Sequence, residues 1–153
     1  MIDLQIDEKY MRLALDEAKK AEGEDEVPVG AVIVRNGEVI ASAYNTREYG
    51  KNALYHAEIK AIDEACKKLG GWRLVGCTMY VTLEPCPMCA GALINSRIER
   101  VVFGCRDAVA GACGSVVKLN SYPFNHSFKL EEGVLADESK ELLPRFFEER
   151  RKK

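Results

Sequence analysis

The sequence lacks any run of about 18 apolar residues, the length a membrane-spanning helix requires. It opens Met1-Ile2-Asp3-Leu4-Gln5-Ile6-Asp7, with no basic segment leading into an apolar one. Neither a membrane span nor a secretory leader is expected, and the cytoplasm is the default compartment. Charge of one sign is scarce as well: 22 Lys and Arg against 24 Asp and Glu leave a net charge of −2. That excludes a uniformly basic nucleic-acid binder but not a local patch. One such patch exists, because Arg145, Arg150, Arg151, Lys152 and Lys153 crowd the C-terminus. Internal repeats and low-complexity segments are absent too.

What is present suffices for one compact domain spanning residues 1–153, since 47% of the chain is hydrophobic and a core of that size needs no disulfide staples. Six cysteines without an export signal read as thiols or metal ligands. After Asp7, a candidate N-cap, Tyr10, Met11, Ala14, Leu15, Ala18 and Ala21 recur at helical spacing, so the first element is a helix ending near Gly23. Glu24-Asp25-Glu26 reads as a solvated loop. Val29 to Val34 and Glu38 to Tyr44 are strand-like and joined by Asn36-Gly37, a strong hairpin signal. Ile59, Ile62, Cys66 and Leu69 mark a second helix from near His56 to Gly70-Gly71. Cys77 to Leu83 follows as a buried strand, Pro87 to about Ser96 as a short helix, and Val101 to Phe103 as another strand. Gly104 to Ser115 fits no period and reads as a functional loop. Phe128 to Leu130 is a candidate edge strand. Leu142, Leu143, Phe146 and Phe147 mark a closing helix that Pro144 should kink or restart. The pattern implies an α/β, three-layer α/β/α architecture: a mixed sheet of about five strands, the hairpin at one side, helices on both faces.

The chemistry gathers in two short groups. His56-Ala57-Glu58 is followed, thirty residues after His56, by Pro85-Cys86-Pro87-Met88-Cys89, and each group falls at the start of an expected helix. Two helix N-termini are thus expected to converge, and their dipoles help to present thiolates to a metal. His56, Cys86 and Cys89 offer one nitrogen and two sulfurs to zinc, one ion per chain, leaving the fourth tetrahedral position to water. Two thiolates neutralise the ion, so that water is less acidified than over three histidines and needs a base. Glu58 suits that base better than a fourth ligand. A lone Cys-x-x-Cys also reads as a redox pair, but that expects a thioredoxin-like setting. A closed structural site would draw a fourth ligand from His126 or Cys105.

His-x-Glu with Pro-Cys-x-x-Cys is the signature of zinc deaminases, and the resemblance extends further. Glu26 to Ala31, Asn45, His56 to Glu58, Trp72-Arg73-Leu74, Tyr80 to Ala92, Gly111 to Ser115, Phe124-Asn125-His126, Gly133-Val134-Leu135 and Phe146-Phe147 closely resemble the bacterial tRNA-specific adenosine deaminases, over nearly the whole chain. The resemblance implies the cytidine deaminase-like fold and hydrolytic conversion of the wobble adenosine of a tRNA anticodon stem-loop to inosine. It also implies a homodimer, in which Ala90, Gly91 and Ala92 would permit close helix packing. Carried over by position, Asn45 contacts the base or ribose, and Val27, Pro28 and Val29 wall the pocket. Ala57 and Cys86 bring their N–H groups near the reacting centre, and Glu84 and Asp107 help to bind the base or its neighbours. The chain departs from the pattern at Asn52-Ala53-Leu54-Tyr55, where the family has small residues before the histidine, and at Pro144.

Other residues keep two readings open. Cys66 and Cys77 read as small buried hydrophobes, and Cys105 and Cys113 as packing residues beside the Gly-rich loop. Phe146, Phe147 and Arg150 are either a core stripe with a solvated basic face or a platform for unpaired bases and phosphates. Two rival functions stand beside the first. A deaminase of free guanine or cytosine would share the metal chemistry without needing a basic tail. A non-catalytic zinc module binding RNA would have no use for Glu58.

Overall fold

Asn36 and Gly37 both take the left-handed conformation that a tight hairpin turn demands, with φ of 52° and 76°. They join β1 (Gly30–Arg35) to β2 (Glu38–Tyr44) in antiparallel register, with an irregularity between Ile33 and Val34. The computed structural model describes residues 3–152, without the side chains of Arg150, Arg151 and Lys152; Met1, Ile2 and Lys153 lie outside the described residues. β1 also pairs antiparallel with β3 (Cys77–Leu83), and β3 pairs in parallel with β4 (Arg100–Cys105). β5 (Lys129–Glu132) closes the far edge in parallel with β4, giving a mixed sheet in the order β2-β1-β3-β4-β5. The parallel β3–β4 step needs a crossover, and α4 (Pro87–Asn95) is that crossover.

Alternation along the strands divides the core in two. Ala31 and Ile33, Met79 and Val81, and Val101 and Phe103 point to the face covered by α3 (Ala57–Leu69) and α4. Val32 and Val34, Tyr80, and Val102 point to the opposite face, where α1 (Asp3–Gly23) lies with Tyr10, Met11 and Ala14 against them. A closing helix, α5 (Ala136–Lys152), packs Leu142 against Leu15 and Ala18 of α1. The layers and strand count match the expected architecture.

Three local expectations need correction. α1 begins at Asp3, so Asp7 is not its cap. Asp7 is instead buried, and accepts hydrogen bonds from Arg100 through both oxygens (2.8 and 2.7 Å) and from the Tyr80 hydroxyl (2.8 Å). Glu26 is not solvated either: it is 1% exposed, and its carboxylate accepts the N–H groups of Glu48 and Tyr49 (3.0 and 2.7 Å). Those bonds hold α2 (Arg47–Gly50), a single turn the sequence pattern did not announce. Finally, of the two outcomes expected at Pro144, a restart does not occur, since α5 is one helix through that residue. Pro144 and Lys140, whose carbonyl loses its partner, are both exposed, so the missing bond leaves no buried orphan.

Candidate metal centre and active site

His56 is the N-cap of α3 and Cys86 the N-cap of α4, each with extended backbone. Pro87 at the first turn of α4 has no N–H to leave unsatisfied. One turn into α4, Cys89 faces back toward the same point. The His56 Nδ1 atom lies 3.6 Å from Cys86 Sγ and 3.5 Å from Cys89 Sγ, and the three donor atoms all fall within 4.8 Å of one another. Cys86 and His56 reach the cavity surface while Cys89 is fully buried. Contact with the Cys89 thiol, followed by contact with His56, pulls the Cys86 thiol down to about 4. The same contact and burial push Cys89 up, and the Cys86 contact raises His56. The triangle thus holds a ready thiolate and shares its remaining protons among soft donors. That is the chemistry of a zinc site open on its fourth side, and the residues fit the metal.

Glu58 stands in the first turn of α3, 4% exposed, on the wall of the cavity that the triangle borders. Burial pushes its carboxyl up to about 7, against the opposing pull of its own backbone N–H and of His56. A carboxyl poised there exchanges protons at neutral pH. The cavity has a volume of about 220 Å³ and is walled by Val27, Val29 and Leu83. Asn45 contributes its amide: Nδ2 donates to the Val27 carbonyl at 3.3 Å, and Oδ1 is buried without a partner among the described residues. An orphan acceptor in a cavity wall is expensive unless a ligand meets it.

Most of the residues singled out from sequence converge here. Ala57, Glu84, Asp107 and Cys86 border the cavity with Val27, Val29 and Asn45, whereas Pro28 is buried behind them and is not among the lining residues. Glu84 does not offer its carboxylate to a ligand as expected. It is 1% exposed and accepts the N–H groups of Asp107, Cys113 and Ser115 and the Ser115 hydroxyl. Asp107 caps its own loop, accepting from Val109 and Ala110 at 3.0 and 3.2 Å. Phe146 is in the core at 3% exposure, and Phe147, edge-on to it, is 48% exposed, so one ring packs and the other faces out. Arg150 continues α5. Arg47, Leu83 and Ala110 line the cavity without having been anticipated. Neither Arg47, which opens the single turn α2, nor Ala110, in an aperiodic loop, carries a sequence signal. His126 is no fourth ligand: its Nε2 pairs with the Ile98 carbonyl at 2.7 Å. Cys105 directs its thiol to the Thr82 carbonyl.

Comparison with known proteins bears on the same residues. A family model for the cytidine and deoxycytidylate deaminase zinc-binding region matches residues 4–105. A tRNA-specific adenosine deaminase of Bacillus subtilis (strain 168) is 55% identical over 148 residues, covering 96% of this chain and 92% of the relative. A solved structure from studies of A-to-I editing by tRNA:A34 deaminases at the wobble position of transfer RNA has a TM-score of 0.86 at 44% identity, covering 88% of this chain and 99% of its own. A guanine deaminase from Nitrosomonas europaea has a TM-score of 0.77 at 27% identity, covering 91% and 83%.

Proposed function

This chain belongs to the tRNA-specific adenosine deaminases of the cytidine and deoxycytidylate deaminase zinc-binding family, and from that premise we propose that its cavity receives the wobble adenine of an anticodon stem-loop and converts it to hypoxanthine, leaving inosine in the RNA. The observation that carries the reading is Glu58, buried on the cavity wall beside three soft metal donors.

Overall, water adds at C6, the C6–N6 bond breaks and ammonia leaves. Zinc, held by His56, Cys86 and Cys89, supplies when bound the Lewis acidity that makes water nucleophilic near neutral pH. Glu58 takes the proton released by the attacking water and delivers it to the ring nitrogen; it then takes the proton of the new C6 hydroxyl and gives it to the departing amine as the C6 carbonyl forms. Val27, Val29 and Leu83 hold the unstacked ring and exclude solvent, with Pro28 supporting them from behind. The Asn45 Oδ1 atom accepts a hydrogen bond from the base or its ribose, which resolves its orphan state. The Ala57 and Cys86 N–H groups, at two helix N-termini, face the negative charge that develops during attack. Asp107 contacts the neighbouring nucleotide.

The RNA extends past the cavity toward α5. Arg145 pairs with Glu22 at 2.7 Å, which holds α5 against the end of α1, and α1 leads directly into the loop carrying Val27. Phe147 then stacks on an unpaired base, and the run Arg150-Arg151-Lys152-Lys153, whose side chains lie outside the described residues, supplies by its sequence the positive charge that phosphates attract. We also infer a homodimer: Gly91 and Ala92 of α4 are half-buried small residues, α4 packs against the 3₁₀ turn Leu119–Ser121, and the chain on either side of that turn exposes Val116, Tyr122 and Phe124. Sedimentation of the zinc-loaded chain tests this, and a monomer at micromolar concentration overturns it.

The substrate is tested by turnover of a stem-loop bearing wobble adenine against free guanine and free cytosine. Inosine in the RNA is the expected product. Faster release of ammonia from either free base, with no inosine formed, assigns the site to small bases instead. No turnover of any substrate by zinc-loaded protein leaves only an RNA-binding module.

A further inference from the structure

Residues 106–128 contain little regular structure: an isolated bridge between Cys113 and Lys118 and the 3₁₀ turn Leu119–Ser121. Yet this segment supplies Asp107 and Ala110 to the cavity wall. A wall made from an aperiodic loop needs something to fix it, and the bonds converge on Glu84. Its Oε1 accepts the Asp107 N–H at 3.0 Å and the Ser115 hydroxyl; its Oε2 accepts the Cys113 and Ser115 N–H groups at 2.9 and 3.0 Å. The neighbouring backbone adds two more ties, from Glu84 N to the Cys105 carbonyl at 2.9 Å and from Ala112 N to the Pro85 carbonyl at 2.8 Å. Gly111 passes so close that a Cβ there would collide with the Glu84 carboxyl and the Asp107 carbonyl. On the other side of Glu84 the chain runs through Pro85 into Cys86, the cap of α4.

The geometry points to Glu84 as a positioning residue: it sets the spacing between the metal-donor helix α4 and the cavity wall formed by Asp107 and Ala110, so that a bound base is held against the donors in one orientation. This rests on the reading of that cavity as the place where the base is deaminated. A carboxylate is required because every partner is a donor. Glutamine has the same size, but whichever way its amide turns, its NH₂ meets at least one backbone N–H, and that bond is lost.

The test compares the zinc-loaded full chain with Glu84→Gln and Gly111→Ala. Hydrogen exchange should show the Asp107 amide losing protection in Glu84→Gln, because the turn that keeps an oxygen on the Cys113 and Ser115 N–H groups costs one backbone bond and the other turn costs two, while α3 and α4 stay protected and one zinc remains per chain. On the stem-loop, kcat should fall at least about tenfold with KM within about twofold, because RNA backbone contacts persist while the base is misoriented. Gly111→Ala should act in the same direction. The double variant should be no worse than the poorer single one, as expected for residues acting through one element. Unchanged protection at residues 106–118 overturns the proposal, as does a loosened loop with unchanged kcat. Loss of zinc or of protection throughout the fold overturns it too, since Glu84 would then be a general stabilising residue. A wild-type chain inert on the stem-loop sinks the substrate reading on its own, and the exchange pattern still decides whether Glu84 holds the loop.

Discussion

Two carboxylates buried by the same sheet have opposite electrostatics. On one face, Asp7 is gripped by both nitrogens of the Arg100 fork and by the Tyr80 hydroxyl; burial alone would raise its pKa, but those bonds outweigh it and hold the carboxyl below its usual range. On the other, Glu58 lines a cavity beside two thiols and a histidine, and burial wins, lifting it to about 7. The fold thus treats one acid as a structural ion and leaves the other able to change its proton. Partners and depth both contribute: the two side chains are nearly covered, at 3% and 4% exposure, but Asp7 lies closer to the surface behind a cation that reaches solvent, whereas Glu58 is deeply buried with no cation paired to it among the described residues.

The comparison breaks hardest at the donors. Cys86→Ser and Cys89→Ser should each lose zinc and with it all turnover, while Cys66→Ser, on the far part of α3, should keep both; metal analysis of the three purified variants decides this, and identical zinc content in all of them defeats the ligand assignment. Next comes the reactive carboxylate. Glu58→Ala should retain zinc and lose about 10² to 10⁴-fold in single-turnover rate, and Glu58→Gln should fall as far because it is isosteric yet cannot carry the proton. Rates near wild type in either would remove Glu58 from the chemistry.

The structural acid should fail differently. Asp7→Asn should leave zinc and kcat unchanged while lowering stability by about 2 kcal/mol, less than for a fully buried pair because Arg100 reaches solvent. The pH dependence has a definite sign. Asp7 has a depressed folded pKa, so its contribution is present above the unfolded carboxylate value and disappears as pH falls through the folded one. The stability gap between wild type and Asp7→Asn should therefore close in acid, and a gap that is constant down to pH 2 would contradict the assignment. The smallest effect belongs to neither acid. Truncation after Glu149 keeps Phe146 in the core, and should raise KM for the stem-loop several-fold and flatten its salt dependence by roughly 0.7 per lost phosphate contact; an unchanged salt slope would exclude the tail from RNA binding.

How much of this was legible varies by element. The hairpin announced itself because Asn36-Gly37 is a local solution to a local problem, and α3 because its apolar period repeats within thirteen residues. His56, Glu58, Cys86 and Cys89 were readable because metal coordination dictates residue type and each pair sits in one short motif at a helix start. Glu26, Glu84 and Asp7 were misread for one shared reason: their partners lie 22 to 93 residues away. An acidic run looks solvated, an Asp ahead of a helical stripe looks like a cap, and a Glu beside a ligand motif looks like a substrate contact until the chain closes.

By itself, then, the sequence determined the donor chemistry, the strand and helix periods and the turn between β1 and β2, because each depends on side chains a few residues apart. Tertiary structure alone decided which buried acids are neutralised and which stay reactive, which of Phe146 and Phe147 faces out, and that an aperiodic loop becomes a cavity wall. Those outcomes depend on which groups meet after folding, and burial changes a charge's energy by more than any local preference does.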